Sequence, residues 1–489
     1  MSGLHDPKAH FILVPLVAAQ GHTIPMLDMA RLLAERGARV SFITTPVNAA
    51  RIKPIIDRVK DSHLPIQFVT LPFACAKAGL PDGCENFDLL PSTEYVKAMF
   101  EGTSVLQEPL ELFLRELRPK PNCMIADMCN PWTMEVARKL RIPRIIFHGP
   151  SCFYLLCQHN IALHSVYERV ADDFEPFLVP DLPRQVQVNK AQALAFATGP
   201  EWANFMHQLA MAESTADGIV INSYDDLEPW YIENYQKAKG KKIWTIGPLC
   251  LCNKDVTSKA TRGNKASMDE HAIIKWLDTM EPSSVIYANF GSAARAPPSQ
   301  LIEIGCGLQA SNQPFIWVVK EAELTPEIEN WLSVELEEST SSRGLVIRGW
   351  APQMVILSHP AVGGFLTHCG WNSISESISA GVLMITWPQF SDQFLNEKLI
   401  VDELEIGVAV GVKVPTSHVS EDGPVVVGRD DVQKAVSRLI DDGECGKERR
   451  MRVKELQEKA TKAMEEGGSS YVNMTRLIQY IIENTNEEL

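Results

Sequence analysis

The stretch Trp350–Phe394, WAPQMVILSHPAVGGFLTHCGWNSISESISAGVLMITWPQFSDQF, decides how the chain is read. Three tryptophans, two histidines and an Asp-Gln pair sit among glycines in a strand–turn–helix rhythm. The apolar runs 363–367 and 382–387 lack polar alternation and read as buried parallel strands. Between them, His368-Cys369-Gly370-Trp371-Asn372-Ser373 makes a turn that opens a helix, expected over Ser373–Ala380 and ended by Gly381.

A helix that starts just past a strand presents free backbone N–H groups and the positive end of its dipole, which suits a phosphate. Asn372 and Ser373 are natural caps. Glu376 follows Ser373 by three residues, so the pair alternatively forms no more than a capping box. That box does not account for His368 and Trp371 flanking the same turn, nor for Asp392-Gln393 after the next strand.

The whole chain has 489 residues, enough for two or three domains. Its 45% hydrophobic and 22% charged content describe a soluble globular protein. A net charge of −15 argues against nucleic acid and anionic membranes as partners. An anionic ligand must therefore be held by local dipoles and a few donors. The 11 cysteines are scattered, mostly in apolar runs, with no pair of CxxC units. This disfavours zinc and fits reduced thiols in the cytosol. The start MSGLHDPKAH is polar, and no run approaches a membrane span. The expectation is a soluble, cytoplasmic monomer.

Working back to the start, residues 9–45 read as a β-α-β unit. His10–Leu16 is a strand, Pro25 takes the first helical position, and Arg39–Thr44 is the next strand. The loop Val17–Thr23 lies at the carboxyl end of the first strand, where open α/β sheets bind ligands. It lacks GxGxxG, which disfavours a dinucleotide cofactor. Cys123–Ala126 is another strand, ending at Asp127, with Pro131-Trp132 opening a helix. His22 and Asp127 can thus face one crevice. A strand-end Asp is also a common helix cap, and Asn130 is a second candidate for that role. A long helix is expected over Thr93–Leu117, and Arg184–Pro200 is a candidate cap over a cleft.

The β-α alternation continues to the end, so the fold expected is α/β with two doubly wound domains. Residues 1–248 form the first domain and residues 268–489 the second, with the last helix a candidate to pack back on the first. The polar, small-residue stretch within 249–267 reads as a mobile linker.

In order, WAPQ, HPAVGGFLTHCGWNS, Glu376 and DQF resemble the signature box of the plant family-1 UDP-sugar glycosyltransferases. The likeness runs end to end. It is nearest to the branch that glucosylates flavonoids, terpenoids, steroids and other small lipophilic alcohols or phenols. The resemblance implies two Rossmann-like domains facing across a cleft, the GT-B arrangement. It also implies an inverting O-glucosyltransferase with UDP-glucose as co-substrate and no metal or other cofactor. An acidic DxD-type cluster is not evident; Asp430-Asp431 and Asp441-Asp442 read as solvated helix ends.

The same resemblance implies residue roles. His22 and Asp127, in GHxxP and D-x-x-x-PW contexts, match the base and its supporting carboxylate. Trp350 offers a face for uracil, unless it is a core tryptophan at a strand end, and Ala351 offers backbone hydrogen bonds. Gln353 and Glu376 suit the ribose hydroxyls. Ser292, His368, Asn372 and Ser373 suit the diphosphate, though Ser292 alternatively acts as a cap. Asp392 and Gln393 suit the hexose. In the family, Trp371 together with Gln393 usually accompanies glucose. Val382-Leu383-Met384 departs from the family's usual Val-Pro-Met. Phe87, Phe153, Tyr154 and Phe196 are candidate acceptor residues, each equally readable as core. A transferase using another UDP-sugar is the alternative within the family; a UDP-sugar sensor, a glycoside hydrolase and an oxidoreductase are alternatives outside it. Of these three, the first has no need of His22 and Asp127, and the second needs paired carboxylates, of which Asp127 has no evident mate.

Overall fold

Fully buried runs such as HFILV and CMIAD cannot leave backbone groups unpaired, so they line up as central strands of parallel sheets. The structure, a computed structural model, describes residues 9–194, 199–293, 295–416 and 425–486. Phe196 lies outside the described residues. In chain order the first half contains β1 (His10–Val14), β2 (Arg39–Thr44), β3 (Ile66–Thr70), β4 (Cys123–Asp127) and β5 (Arg144–His148). An antiparallel hairpin follows, of β6 (Pro176–Leu178) and β7 (Gln187–Asn189), then β8 (Gly218–Ile221) and β9 (Ile243–Thr245). The second half contains β10 (Val285–Asn289), β11 (Phe315–Val319), β12 (Gly344–Arg348), β13 (Val362–Thr367), β14 (Leu383–Thr386) and β15 (Gly407–Ala409).

Two parallel sheets result. Their strand orders are β3-β2-β1-β4-β5-β8-β9 and β12-β11-β10-β13-β14-β15. In each, the chain builds outward on one side and then returns to the centre. The order therefore reverses between β1 and β4 in the first sheet and between β10 and β13 in the second. Such a reversal opens a crevice at the strands' carboxyl ends.

Side chains alternate across the first sheet, as the period of two requires. Ile12, Val14 and Met124 pack with Phe100, Trp132 and Phe205 on one face. Phe11, Leu13, Cys123 and Ile125 pack with Leu33 and Trp244 on the other, joined by Met474 and Leu477 of the final helix Ser469–Asn486. Asn473 on that helix donates to the Thr245 carbonyl at 3.1 Å.

Three expectations are corrected. The first helix begins at Gln20, not Pro25, which places His22 in its first turn and Pro25 inside it. The Ala19 carbonyl accepts from Thr23 N at 3.0 Å, so the helix starts before the proline can influence it. The helix expected over Thr93–Leu117 is broken into Val96–Gly102 and Gln107–Glu116 by a tighter turn. Gly102 sits against Ala78, where a Cβ would approach within 2.7 Å of the Ala78 Cβ.

The presumed mobile linker is instead a folded strap. Leu249, Cys250 and Cys252 are buried, and Asp255 caps the short helix Val256–Ala260 through Ser258 N at 2.8 Å. Arg58 of the first domain donates to the Thr257 carbonyl at 3.0 Å, while Lys259 reaches Ser358 of the second at 2.9 Å. A second bridge forms where Arg184 donates to the Asp402 carbonyl and Gln192 to that of Lys413, at 3.0 and 2.9 Å.

Candidate active site

The reversal between β1 and β4 brings His22 and Asp127 together. Nδ1 of His22 lies 2.8 Å from Oδ2 of Asp127. Asp127 is fully buried, whereas the His22 side chain is 29% exposed, so the imidazole's outer nitrogen Nε2 can meet a ligand. Asp127 does not cap the following helix, which begins at Thr133. Its other oxygen accepts from Cys129 N at 2.9 Å. Asn130 is not a side-chain cap either; its amide ties down the carbonyls of Val14 and Pro15, at 3.2 and 2.9 Å. Burial pulls the His22 pKa down, but the charge and hydrogen bond of Asp127, aided by the Asp392 charge, outweigh it and leave it above 6.5. With Nδ1–H donating to the carboxylate, Nε2 carries the lone pair of a base.

Among the described residues, one cluster offers three metal-ligating groups within 4.8 Å: His22, Asp127 and Cys129. Burial and the adjacent Asp127 push the Cys129 thiol well up, which keeps it in the S–H form.

The second sheet's reversal presents the other side. Past β13, Cys369 adopts a left-handed φ of 66°, and Gly370 is the N-cap of the helix Trp371–Ala380. No side chain caps that helix, so its first N–H groups face the cleft. The Ser373/Glu376 capping box does not form. Ser373 Oγ instead accepts from Gln353 Nε2 at 3.1 Å, and Glu376 Oε2 from the same nitrogen at 2.7 Å. Gln353 Oε1 in turn accepts from Asn289 at 3.0 Å.

His368 is wedged between two glycines. A Cβ on Gly291 or Gly370 would lie 2.6 or 2.5 Å from its Nε2. Burial, with the Lys320 charge, pulls its pKa to about 4, so the ring is neutral at physiological pH. Its Nδ1 is buried, and a backbone contact with Asn289 opposes that shift. Ser292 is exposed on the turn after β10. Trp350 is half-buried past β12 and Ala351 is buried.

Asp392 is half-buried, with its carboxylate partly withdrawn from water. Burial raises its pKa to about 6, against the opposing hydrogen bond from Asn396 at 2.7 Å. Gln393 Oε1 accepts from the backbone N–H groups of Gln389 and Phe390, at 2.9 and 3.2 Å.

Two adjacent residues bolt the donor-side helix to the first domain. Trp371 Nε1 donates to the Asn222 carbonyl at 2.7 Å, and Asn372 Nδ2 to that of Gly21 at 2.5 Å. The Trp371 indole N–H is thus occupied at the seam. Its ring is 4% exposed.

The aromatic candidates divide. Phe153 is core: it is fully buried, with its ring 4.9 Å from that of Tyr231, so its expected place in an acceptor pocket is corrected. Tyr154 is also buried; burial and then the Asp392 charge push its phenol well up. Phe87 is half-buried, its N–H bonded to the Ala18 carbonyl at 3.0 Å and its ring 4.7 Å from Phe100. Sequence reading missed the rest of this wall: Phe100, Trp202 and Phe205, with ring centroids 5.9 Å apart. Only tertiary folding brings these positions together, so no local spacing announces them.

A histidine–carboxylate pair beside an uncapped helix N-terminus, between two Rossmann-like domains, fits a glycosyltransferase of the GT-B class. Two family models match: "Glycosyltransferase, N-terminal domain" over residues 8–251, and "UDP-glucoronosyl and UDP-glucosyl transferase" over residues 260–462. UDP-glycosyltransferase 73E1 of Stevia rebaudiana is 48% identical over 481 residues, 97% of this chain and 96% of that protein. UDP-glycosyltransferase 73C6 of Arabidopsis thaliana is 45% identical over 478 residues, 97% and 96% of the two chains. The structure of Glycyrrhiza uralensis UGT73P12 complexed with glycyrrhetinic acid 3-O-monoglucuronide superposes with a TM-score of 0.89 at 36% identity, covering 98% of this chain and 96% of that one. Arabidopsis thaliana UGT89C1 complexed with UDP gives 0.74 at 28% identity, covering 97% and 100%. The chain belongs to the plant family-1 UDP-glycosyltransferases, and it is a UDP-sugar-dependent enzyme.

Proposed function

We propose that this enzyme transfers glucose from UDP-glucose to a hydroxyl of a small lipophilic acceptor, a flavonoid, triterpenoid, steroid or phenolic, with inversion. The observation that carries the reading is the His22–Asp127 pair, 2.8 Å apart beside the uncapped helix of the second domain. His22 Nε2 takes the acceptor hydroxyl's proton as that oxygen bonds to the anomeric carbon. The bond from that carbon to UDP breaks on the opposite face, so an α-linked donor yields a β-glucoside. Asp127 steadies the imidazolium. The helix N-terminus with Asn372 and Ser373, His368 and Ser292 takes up the leaving diphosphate's charge.

Trp350 and Ala351 hold the base, Gln353 and Glu376 the ribose, and Asp392 and Gln393 the hexose. Glucose as the sugar is supported by Trp371 and Gln393, whose combination usually accompanies it in the family. Relatives crystallised with quercetin and with glycyrrhetinic acid 3-O-monoglucuronide support small-molecule acceptors. The half-buried Phe87 beside Phe100 and Trp202 supplies an apolar wall near Ala18 for one. No metal or other cofactor enters the reaction. The 11 cysteines are all unbridged, and no described helix is long and apolar enough to cross a membrane. Both features support a cytoplasmic enzyme, which we take to be monomeric.

The test is mass-resolved product formation from UDP-glucose with flavonols, sapogenins, simple phenols and terpenoid alcohols. A gain of one hexosyl unit on one class is expected. Transfer from another UDP-sugar but not from UDP-glucose would refute the donor assignment. Tight UDP-glucose binding with no transfer to any acceptor would favour a sensor.

A further inference from the structure

The strap between the domains reaches into the donor side of the cleft. Arg262 lies between two carboxylates from different domains. Its Nε donates to Asp28 Oδ2 at 2.8 Å, and its Nη1 to Glu376 Oε1. The side chains of Arg262, Asp28 and Glu376 are 8%, 7% and 5% exposed, so none of the three can exchange its partner for bulk water. Asp28 is anchored in turn: its Oδ1 accepts from Asn253 Nδ2, also on the strap, at 2.8 Å. Asp28 belongs to the helix Gln20–Glu35, which carries His22.

The next residue, Gly263, has φ of 99° and presses on Trp350: a Cβ there would come within 2.5 Å of Trp350 Cζ2. Ser267 closes the strap onto the same residue. Its N–H donates to the Trp350 carbonyl at 2.8 Å, and its hydroxyl oxygen accepts from Trp350 N at 2.8 Å.

An ionised carboxylate has about four acceptor positions, two on each oxygen. Arg262 takes one on Glu376 Oε1 and Gln353 one on Oε2. One position per oxygen remains, which matches a pair of neighbouring hydroxyls. We propose that Arg262 is a positioning residue of the nucleoside subsite. It clamps Glu376 so that the carboxylate's two free positions meet the ribose 2′- and 3′-hydroxyls, and Asp28 holds Arg262 in place from the first domain. The proposal rests on the reading of Glu376 as the ribose ligand. It makes the strap part of the donor site and joins ribose recognition to the helix that bears the base.

The test compares binding of UDP and 2′-deoxy-UDP by calorimetry in the intact enzyme. Wild type is expected to prefer UDP by about tenfold, the value of one lost hydrogen bond to a charged group. Arg262→Gln is expected to bind UDP more weakly and to lose most of that preference, while Arg262→Lys restores part of it. A merely structural role would weaken both ligands alike and leave the ratio intact, and that outcome would overturn the proposal. Glu376→Gln separates the two readings. If it keeps the wild-type ratio, the assignment of Glu376 to ribose fails. If it loses the ratio while Arg262→Gln keeps it, only the role of Arg262 fails. Should Arg262→Gln not fold, Asp28→Asn decides, because it keeps the Arg262 and Glu376 side chains and removes only the charge that holds Arg262. A ratio reduced severalfold supports the proposal, and an unchanged ratio overturns it.

Discussion

The side-chain amide of Asn372 donates to the backbone carbonyl of Gly21 at 2.5 Å, and Pro25 is the reason that carbonyl is available. In an α-helix the carbonyl of residue 21 pairs with the N–H of residue 25, which proline lacks. The unpaired carbonyl sits one residue before His22 and is taken by the helix of the other domain. Pro25→Ala restores the missing N–H as a competitor. It touches no substrate, so UDP affinity is expected to hold while kcat falls about three- to tenfold from looser alignment across the cleft. Asn372→Ala is expected to reduce both kcat and UDP affinity. Equal kcat in wild type and Pro25→Ala, by steady-state kinetics, would separate the seam from the chemistry.

The His22–Asp127 contact sets the acid side of the pH profile. His22 must be neutral to act as base, and its pKa stands above 6.5 because Asp127 outweighs the effect of burial. Activity therefore falls as pH drops through that raised value. Asp127→Asn removes the raising charge and keeps the burial, so the acid limb of kcat/KM is expected to move to lower pH. The rate itself is expected to drop by about 10²- to 10⁴-fold, since an asparagine favours the wrong tautomer. His22→Ala is expected to abolish transfer and leave UDP binding roughly intact. An acid limb that stays in place in Asp127→Asn would assign it to another group.

The sequence was informative where one local pattern specifies one element. Arg39–Thr44 alternates with nothing, reads as a buried strand, and is one. The turn His368–Ser373 names its own helix, although Gly370 rather than Ser373 is the cap. Asp127 ends β4 and His22 follows β1 in the first turn of the next helix, so both were legible at the carboxyl side of neighbouring parallel strands, and their meeting follows from strand order. What failed was long-range. Composition marked Leu249–Lys265 as a loose linker, but Arg262 and Asp255 there find partners 234 and 3 residues away, and only the latter is visible in a local window. Nothing local announces that the Trp371 N–H pairs with a carbonyl 149 residues distant. Phe153 could not be told from a pocket residue because helix periodicity does not say which buried face is solid.

Asp392 supplies a second pH signature. Its pKa of about 6 means the carboxylate is ionised above that value and protonates below it. A protonated Asp392 is a poorer acceptor for hexose hydroxyls, so KM for the UDP-sugar is expected to rise as pH falls through 6 while KM for the acceptor stays flat. Asp392→Asn is expected to raise the donor KM by about 10- to 100-fold and to make it insensitive to pH in that range. Losing the Asp392 charge also removes one of the influences that raise the His22 pKa, so the acid limb shifts slightly down in the same variant. A donor KM that keeps its pH dependence in Asp392→Asn would place the titration elsewhere.

Gly370 tests whether the neutral His368 belongs to the diphosphate site. The residue has φ of −65°, so alanine fits the backbone there without strain. Its Cβ, however, would fall 2.5 Å from His368 Nε2, inside any permitted contact. The ring must therefore turn away while the helix N-terminus stays in place. Gly370→Ala is expected to fold, with stability lowered by about 1 kcal/mol from the displaced ring, and to bind UDP about tenfold more weakly. His368→Ala is expected to give a similar loss, and the double variant little more than either alone, because both remove one contact. Because His368 has a pKa of about 4, its contribution to UDP binding is expected to be constant between pH 6 and 8. Calorimetry at several pH values checks both points, and strictly additive losses in the double variant would show that Gly370 acts on the phosphate by a route other than His368.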